Sequence, residues 1–117
     1  MAYVDGFVLA VPKKNLEAYR RMSQKAGKVW REYGALEYRE CAGDDLRVNM
    51  GIPFARLLKL KKNETAVFSW IVYRSHSHRD NVNAKVMKDP RILKLIEPMP
   101  FDVKRMSYGG FKVLVDM

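Results

Sequence analysis

The sequence contains one cysteine and only two histidines, and both scarcities narrow the chemistry open to it. Cys41 has no second cysteine in the chain, which excludes a framework of internal disulfides and gives no zinc pattern. His76 and His78 form a His-x-His pair, but no third ligand lies nearby in sequence. If a helix starts here the two rings diverge, and surface or capping roles suit them better. We therefore expect no bound metal.

Long apolar runs are also lacking. No stretch approaches the roughly 20 apolar residues that a membrane-spanning helix needs. Residues 1–5 show neither the basic segment nor the cleavage site of a secretory signal peptide. These absences predict a soluble, cytoplasmic protein with no membrane partner. No flavin, metal or phosphate-loop motif is recognisable, so we expect no cofactor.

Acidic residues are scarce relative to basic ones, 13 against 22, and the formal net charge is +9. Such an excess can attract RNA or another polyanion. However, the sequence has no run of five like charges and no Arg/Gly-rich tail. The simpler interpretation is a solvated surface that is basic overall.

The spacing of apolar residues predicts the first strand and the first helix. Residues 3–11 alternate as in a β-strand, and both faces of that strand are apolar apart from Asp5. A carboxylate at Asp5 requires a partner or water. Apolar residues then recur at helical spacing and predict a helix over 16–33, capped by Asn15 and stopped by Gly34.

The second half of the chain repeats this alternation of strands and helices. Strands are predicted over 35–42 and 65–73, the latter rich in β-branched and aromatic residues. A second helix is predicted over 76–88, capped by a serine. A short helix restarts at Asp89-Pro90 and ends at 97–100, before the last strand.

The resulting order, β-α-β-β-α-β, is typical of the ferredoxin-like fold, an α+β fold with an antiparallel sheet, here one domain over 1–117. Two helices cover only one face of such a sheet. Because the strands at 3–11 and 65–73 are apolar on both faces, the second face needs a cover. The most economical cover is another copy of the chain, so the sequence predicts a homodimer.

The last strand contains a change of phase at Gly109-Gly110. Apolar residues alternate in one phase before the two glycines and in the other phase after them. A β-bulge of one extra residue would keep both sets on one face. Tyr108 and Phe111 would then point the same way.

Several polar side chains could meet between the helices and the sheet. Arg79 and Asn83 share one face of the second helix and could enter a cavity there. With Asp5 and Arg105 they could bind a carboxylate or polarise a carbonyl. The alternative is a structural ion-pair network in which Asp5 pairs with one of the two arginines. The candidate ligand-binding residues are Asp5, Trp70, Arg79, Asn83, Arg105 and Tyr108.

Four stretches of the sequence are distinctive: YVDGF at 3–7, FSWI at 68–71, KVMKDPR at 85–91 and MPFDVKRMSYGGF at 99–111. Together and in this order they resemble the signature of the YbaA-like proteins, the domain-of-unknown-function family numbered 1428. The resemblance implies a dimeric α/β barrel, in which two ferredoxin-like protomers pack their sheets together. That superfamily includes small cofactor-independent monooxygenases, isomerases and ligand-binding subunits. The family itself has no established activity, so no catalytic residue is implied.

These features favour a homodimer that binds or converts a small hydrophobic molecule in a pocket between sheet and helices. Whether it is an enzyme stays open. The alternative is an RNA-binding protein, because RNA-recognition motifs share the element order and carry stacking aromatics on two strands, here Tyr3, Phe7, Phe68 and Trp70. The strand over 66–73 lacks the basic-Gly-aromatic pattern of that motif. A further alternative, a structural dimer without chemistry, predicts no cavity beyond packing defects.

Overall fold

Four strands and four helices form the part of the chain that the computed structural model describes, residues 1–95 and 99–117. The strands are β1 (Tyr3–Pro12), β2 (Glu37–Ala42), β3 (Glu64–Tyr73) and β4 (Ser107–Lys112). The helices are α1 (Leu16–Glu32), α2 (Phe54–Leu57), α3 (His76–Val86) and α4 (Pro90–Leu95). The predicted ferredoxin-like order is confirmed; α4 is the predicted short helix, and α2 is an addition. The predicted end of α4 at 97–100 lies partly outside the described residues.

The sheet has the strand order β2-β3-β1-β4, and every neighbouring pair is antiparallel. β1 pairs with β3 along its whole length, from Tyr3 opposite Tyr73 to Pro12 opposite Glu64. Because side chains alternate along a strand, this register divides them between two faces. We call the face that carries α1 and α3 the inner face and the opposite one the outer face.

α1 begins and ends close to its predicted bounds. Gly34 follows it with φ of 115°, the left-handed conformation that glycine adopts without strain. Asn15 stands at the predicted N-cap position of α1, but it closes a short 3₁₀ turn and its side chain makes no capping bond. Its amide nitrogen instead donates to the main-chain oxygen of Pro100, 3.1 Å away. This bond fixes the segment before β4 to the start of α1.

α3 starts where the sequence predicts and ends two residues earlier. The hydroxyl of Ser75 accepts a hydrogen bond of 3.1 Å from the main-chain N–H of His78, which is a standard N-cap. Val82 and Val86 are its buried residues. So narrow an apolar face leaves the neighbouring positions of α3 for polar side chains that face the sheet. None of the described helices is both long and apolar enough to cross a membrane.

The core of the inner face consists of two clusters of buried side chains. One joins α1, α3 and α4 to β3 around Tyr73, which is fully buried. The other joins the start of α1 to β1 and β3 around Leu9 and Tyr19. Phe7 packs against both clusters. The sheet is therefore covered on both sides of Phe7, and the space above that residue lies between the clusters.

The predicted bulge in β4 is wrong. β4 pairs with β1 in an unbroken register through Gly109-Gly110. Gly110 is needed because the Tyr3 side chain packs directly against it, and the phenol of Tyr3 lies where a β-carbon on residue 110 would be. Without a bulge, Tyr108 lies on the inner face and Phe111 on the outer face.

The outer face of the sheet is apolar and largely uncovered by the described part of the chain. Phe68 and Phe111 are 45% and 61% exposed there. α2 shields one edge, where the ring of Phe54 meets that of Phe68 at 6.3 Å. The half-buried apolar members of this face are Val4, Val8, Trp70 and Val72. An exposed apolar surface of this kind indicates an interaction site.

Candidate functional site

A cavity of about 510 Å³ lies between the inner face of the sheet and the helices. α1, α3 and α4 form its roof and sides together with the segment that precedes β4. Its apolar lining includes Phe7, Leu9, Met22, Trp30, Ile71 and Phe101. The volume and the apolar lining are those of sites for small organic molecules.

Two rows of inward-facing side chains cross the floor of the cavity. One row is Tyr38, Ile71 and Asp5; the next is Glu40, Ser69, Phe7 and Tyr108. Asp5 and Glu40 thus stand on strands separated by β3, about 10 Å apart across the sheet. The cavity therefore has two acidic positions within an apolar surround.

The first polar cluster surrounds Asp5, which is only 5% exposed. The side-chain nitrogen of Asn83 donates to its carboxylate over 3.4 Å, and the guanidinium of Arg79 lies 3.7 Å from it. The side-chain oxygen of Asn83 accepts from the indole of Trp30 (3.0 Å) and from the hydroxyl of Tyr73 (3.1 Å). Asn83 therefore links α1, α3, β1 and β3.

The charge of Arg79 is already balanced by protein carboxylates. Besides Asp5, the guanidinium contacts Asp80 at 3.2 Å and donates to the hydroxyl of Tyr3 at 3.2 Å. It also lies over the Tyr3 ring, 5.1 Å from the centroid. A ligand carboxylate would have to displace one of these groups. The predicted alternative of a structural pair between Asp5 and Arg79 matches this geometry.

The second polar cluster surrounds Glu40. Its two carboxylate oxygens accept hydrogen bonds from the hydroxyls of Tyr19 (2.7 Å) and Tyr38 (2.9 Å). Burial, followed by the charge of Glu40, raises the pKa of both tyrosines far above their ordinary value. Both phenols therefore stay neutral donors to one carboxylate at the edge of the cavity.

Sequence reasoning missed this second cluster. A partial signal exists, because Glu40 alternates with Tyr38 and so must share its face of the strand. An acidic residue on a covered face needs hydrogen-bond donors. The partner on α1, Tyr19, is one of a stripe of aromatics at helical spacing, and nothing in the sequence marks it as the donor.

Five of the six predicted ligand-binding residues border the cavity: Asp5, Trp70, Arg79, Asn83 and Tyr108. The ring of Tyr108 stacks on Phe7 at 5.6 Å and is 68% exposed, so it stands at the rim. β3 passes beneath the cavity at Trp70, but the register turns that side chain to the outer face. There the indole donates to Glu37 over 2.8 Å.

Arg105 lies away from the other predicted residues. Residues 103–105 form a 3₁₀ turn before β4, and this turn directs the guanidinium toward the start of β3. Arg105 pairs with Glu64 at 2.5 Å and with Asp102 at 2.9 Å, and donates to the main-chain oxygen of Lys59. Its contacts are those of a structural clamp between two segments.

We expect Arg105→Met to lower the melting temperature by more than about 5 °C, because Glu64 is left as a nearly buried carboxylate without its cation. Binding in the cavity should not change. Thermal unfolding followed by circular dichroism measures the first effect. Lys104→Met, which alters an exposed neighbour, is the matched control and should leave the melting temperature within about 2 °C.

The pH dependence of this clamp has a definite sign. Hydrogen bonds from Arg105 and from the main-chain N–H of Lys61 lower the pKa of Glu64 from 4.5 to about 2. The stabilising contribution is therefore complete above pH 4.5 and is lost as the pH falls toward 2. The gap in melting temperature between the wild type and Glu64→Gln should shrink over that interval. A difference in melting temperature that does not change with pH would contradict the lowered pKa of Glu64.

The aromatic side chains proposed for RNA stacking do not share a surface. Tyr3 and Phe7 lie on the inner face, beneath the helices, whereas Phe68 and Trp70 lie on the outer face. An RNA-recognition motif needs its stacking aromatics together on an exposed sheet. This division removes the shared aromatic surface that the RNA interpretation requires and does not bear on the excess of basic residues.

The two histidines are held apart by different partners. The His76 ring stacks on Tyr3 at 4.6 Å, and Nδ1 of His78 accepts from the main-chain N–H of Arg74 at 3.0 Å. Within residues 1–95 and 99–117, no group of three or more His, Cys, Asp or Glu side chains is arranged to hold a metal ion.

The architecture and the cavity define a ferredoxin-like α+β protein with a pocket between its sheet and its helices. The chain belongs to the DUF1428 family of proteins of unknown function, whose family model matches residues 2–103. It is 47% identical over 116 residues to the uncharacterized protein YbaA of Escherichia coli strain K12, covering 99% of each chain.

Solved structures of low sequence identity share the fold. One is a dimeric ferredoxin-like protein from an uncultured marine organism, with a TM-score of 0.62, 12% identity and full coverage of both chains. Another is SnoaB, a cofactor-independent oxygenase from Streptomyces nogalater, with a TM-score of 0.58 and 12% identity. The match covers 99% of this chain and 96% of SnoaB. At this identity the likeness concerns the fold alone.

Proposed function

We propose that the protein is a homodimer in which each protomer binds a small hydrophobic molecule in the cavity between sheet and helices. The observation that carries this proposal is the cavity itself, about 510 Å³ of mostly apolar space with two polar clusters at its floor. Interiors of proteins are close-packed, and a packing defect of this size would be costly. A space that is kept open and given defined polar groups is typical of a binding site.

The free-energy cost of burying polar groups in the cavity supports the same proposal. Asp5 is buried with only long contacts to Asn83 and Arg79, and a buried carboxylate is stabilising only when it is well partnered. An apolar core would be simpler and at least as stable. Polar groups that are retained at such a cost in a cavity point to a ligand.

The second copy is proposed to cover the outer face. The exposed rings of Phe68 and Phe111 lie on an apolar sheet surface, which a two-fold related sheet would match. The structurally similar marine protein is described as dimeric. In this arrangement the cavity of each protomer stays on the other side of its own sheet. Ligand binding and dimer formation would then use separate surfaces.

The two tryptophans provide a test. The indole N–H of Trp30 donates to Asn83 at the cavity, and that of Trp70 donates to Glu37 on the outer face. On titration with 2-naphthol, we expect the Trp30 indole signal in a nitrogen–proton NMR spectrum to shift and saturate. The Trp70 signal should stay in place. Trp30→Phe and Trp70→Phe assign the two signals.

The outcomes separate the possible sites. Movement of the Trp70 signal alone would put binding on the outer face and contradict the proposal. The proposal would also be contradicted if naphthalene, 2-naphthol and 2-naphthoate all left the Trp30 signal unchanged up to their solubility limits.

A further inference from the structure

Two buried polar atoms of residues that line the cavity have no hydrogen-bond partner within the described residues, Nε of Arg79 and the hydroxyl of Ser23. Ser23 lies on α1, is 3% exposed, and lines the cavity beside the Glu40 cluster. Within the described residues its oxygen has no hydrogen-bond partner. The Ser23 hydroxyl lies near those of Tyr19 and Tyr38 and acts to lower the pKa of both, against the larger effect of burial, which raises it. A buried hydroxyl without a partner is costly, so this one is available to a ligand.

The neighbouring tyrosines can offer only acceptors. Each hydroxyl donates its hydrogen bond to Glu40, over 2.7 Å from Tyr19 and 2.9 Å from Tyr38. What remains on each phenol oxygen is a lone pair. The hydroxyl of Ser23, by contrast, can donate a hydrogen bond or accept one. The cluster therefore presents one free donor next to two free acceptors.

The negative charge of Glu40 favours a neutral polar group on the ligand over an anionic one. A ligand carboxylate would lie close to the carboxylate of Glu40 and would be repelled by it. It would also find a single free donor. A neutral hydroxyl fits better, because it can donate to a tyrosine oxygen and accept from Ser23 at the same time.

We propose that Ser23, Tyr19, Tyr38 and Glu40 bind the hydroxyl group of an otherwise apolar alcohol or phenol. This inference rests on the proposed function and specifies the ligand class for the same cavity. Ser23, Tyr38 and Glu40 also line an open groove of about 540 Å³ along the other side of α1. The hydroxyl end of the ligand thus lies at the wall between cavity and groove, and its apolar body lies toward Phe7.

Three probes with one ring system test the ligand class. Dissociation constants of naphthalene, 2-naphthol and 2-naphthoate are measured from the Trp30 indole signal in wild type, Ser23→Ala and Ser69→Ala. In the wild type, 2-naphthol should bind about tenfold more tightly than naphthalene, since two added hydrogen bonds are gained. 2-Naphthoate should bind most weakly of the three.

The two serine variants are a matched pair, because both residues are buried and line the cavity. Ser23→Ala should reduce the preference for 2-naphthol over naphthalene to less than about threefold, with naphthalene affinity and melting temperature retained. Ser69→Ala should keep the tenfold preference.

Equal binding of naphthalene and 2-naphthol in the wild type would mean that solvent satisfies Ser23. That result would overturn this inference and leave the proposed function standing. A preference that survives Ser23→Ala, or tightest binding of 2-naphthoate, would also overturn it. Failure of all three probes to bind would reject the proposed function as well.

Discussion

Replacing Phe68 by glutamate should convert the proposed dimer to a monomer at micromolar concentration. Phe68 is 45% exposed on the outer face of the sheet, and a second copy would bury it. A carboxylate there would have to be desolvated without a partner, at a cost of about 2 kcal/mol or more. Because a two-fold interface contains every substitution twice, we expect dimerisation to weaken about 1,000-fold.

Sedimentation velocity over a range of protein concentrations measures this effect. The matched control is Leu93→Glu, which adds the same charge at a leucine on α4 that is 55% exposed, away from the outer face of the sheet. It should leave the dimer intact. A wild-type protein that sediments as a monomer, or a Phe68→Glu variant that stays dimeric, would contradict the assignment of the outer face.

The Phe68→Glu variant also tests whether ligand binding in the cavity is independent of dimerisation through the outer face. Its side chain points away from the cavity, whose floor is formed by the inward residues of the same strands. A monomeric Phe68→Glu variant should therefore still shift its Trp30 signal with 2-naphthol. Loss of binding together with loss of the dimer would indicate that the second copy completes the site.

Alternation along single strands was sufficient to predict which residues share a face. That Asp5 shares a face with Phe7, and Phe68 with Trp70, followed from it, and the i, i+4 spacing of Arg79 and Asn83 placed both on one face of α3. Together with the element order, this predicted where the Asp5 cluster would form. These features depend on local geometry, which the sequence specifies directly.

Features that depend on the relation between distant segments could not be predicted in the same way. The side chain of Trp70 was expected to bind a ligand in the cavity, but the pairing of β1 with β3 puts Ile71 opposite Asp5 and turns the Trp70 indole to the outer face. The need for Gly110 arises from the ring of Tyr3 on another strand. Arg105 reaches Glu64 across 41 residues because of a local 3₁₀ turn. Register and turn geometry decide each case.

The largest loss of stability is expected from Asn83→Ala. The side chain of Asn83 accepts from Trp30 and Tyr73 and donates to Asp5. Alanine would leave an indole N–H, a phenol O–H and a carboxylate short of partners within the inner layer. At about 1 kcal/mol for each unsatisfied group, the free energy of unfolding should fall by about 3 kcal/mol. Urea unfolding at neutral pH measures this loss.

Asn81→Ala is the matched control, since it removes the same amide from an exposed position of the same helix. It should change the free energy of unfolding by less than about 0.5 kcal/mol. If both variants lose the same small amount, the three hydrogen bonds of Asn83 do not stabilise the fold. A loss confined to Asn83→Ala, with a displaced Trp30 indole signal, would mean that the polar floor of the cavity and the packing of α1 on α3 depend on one side chain.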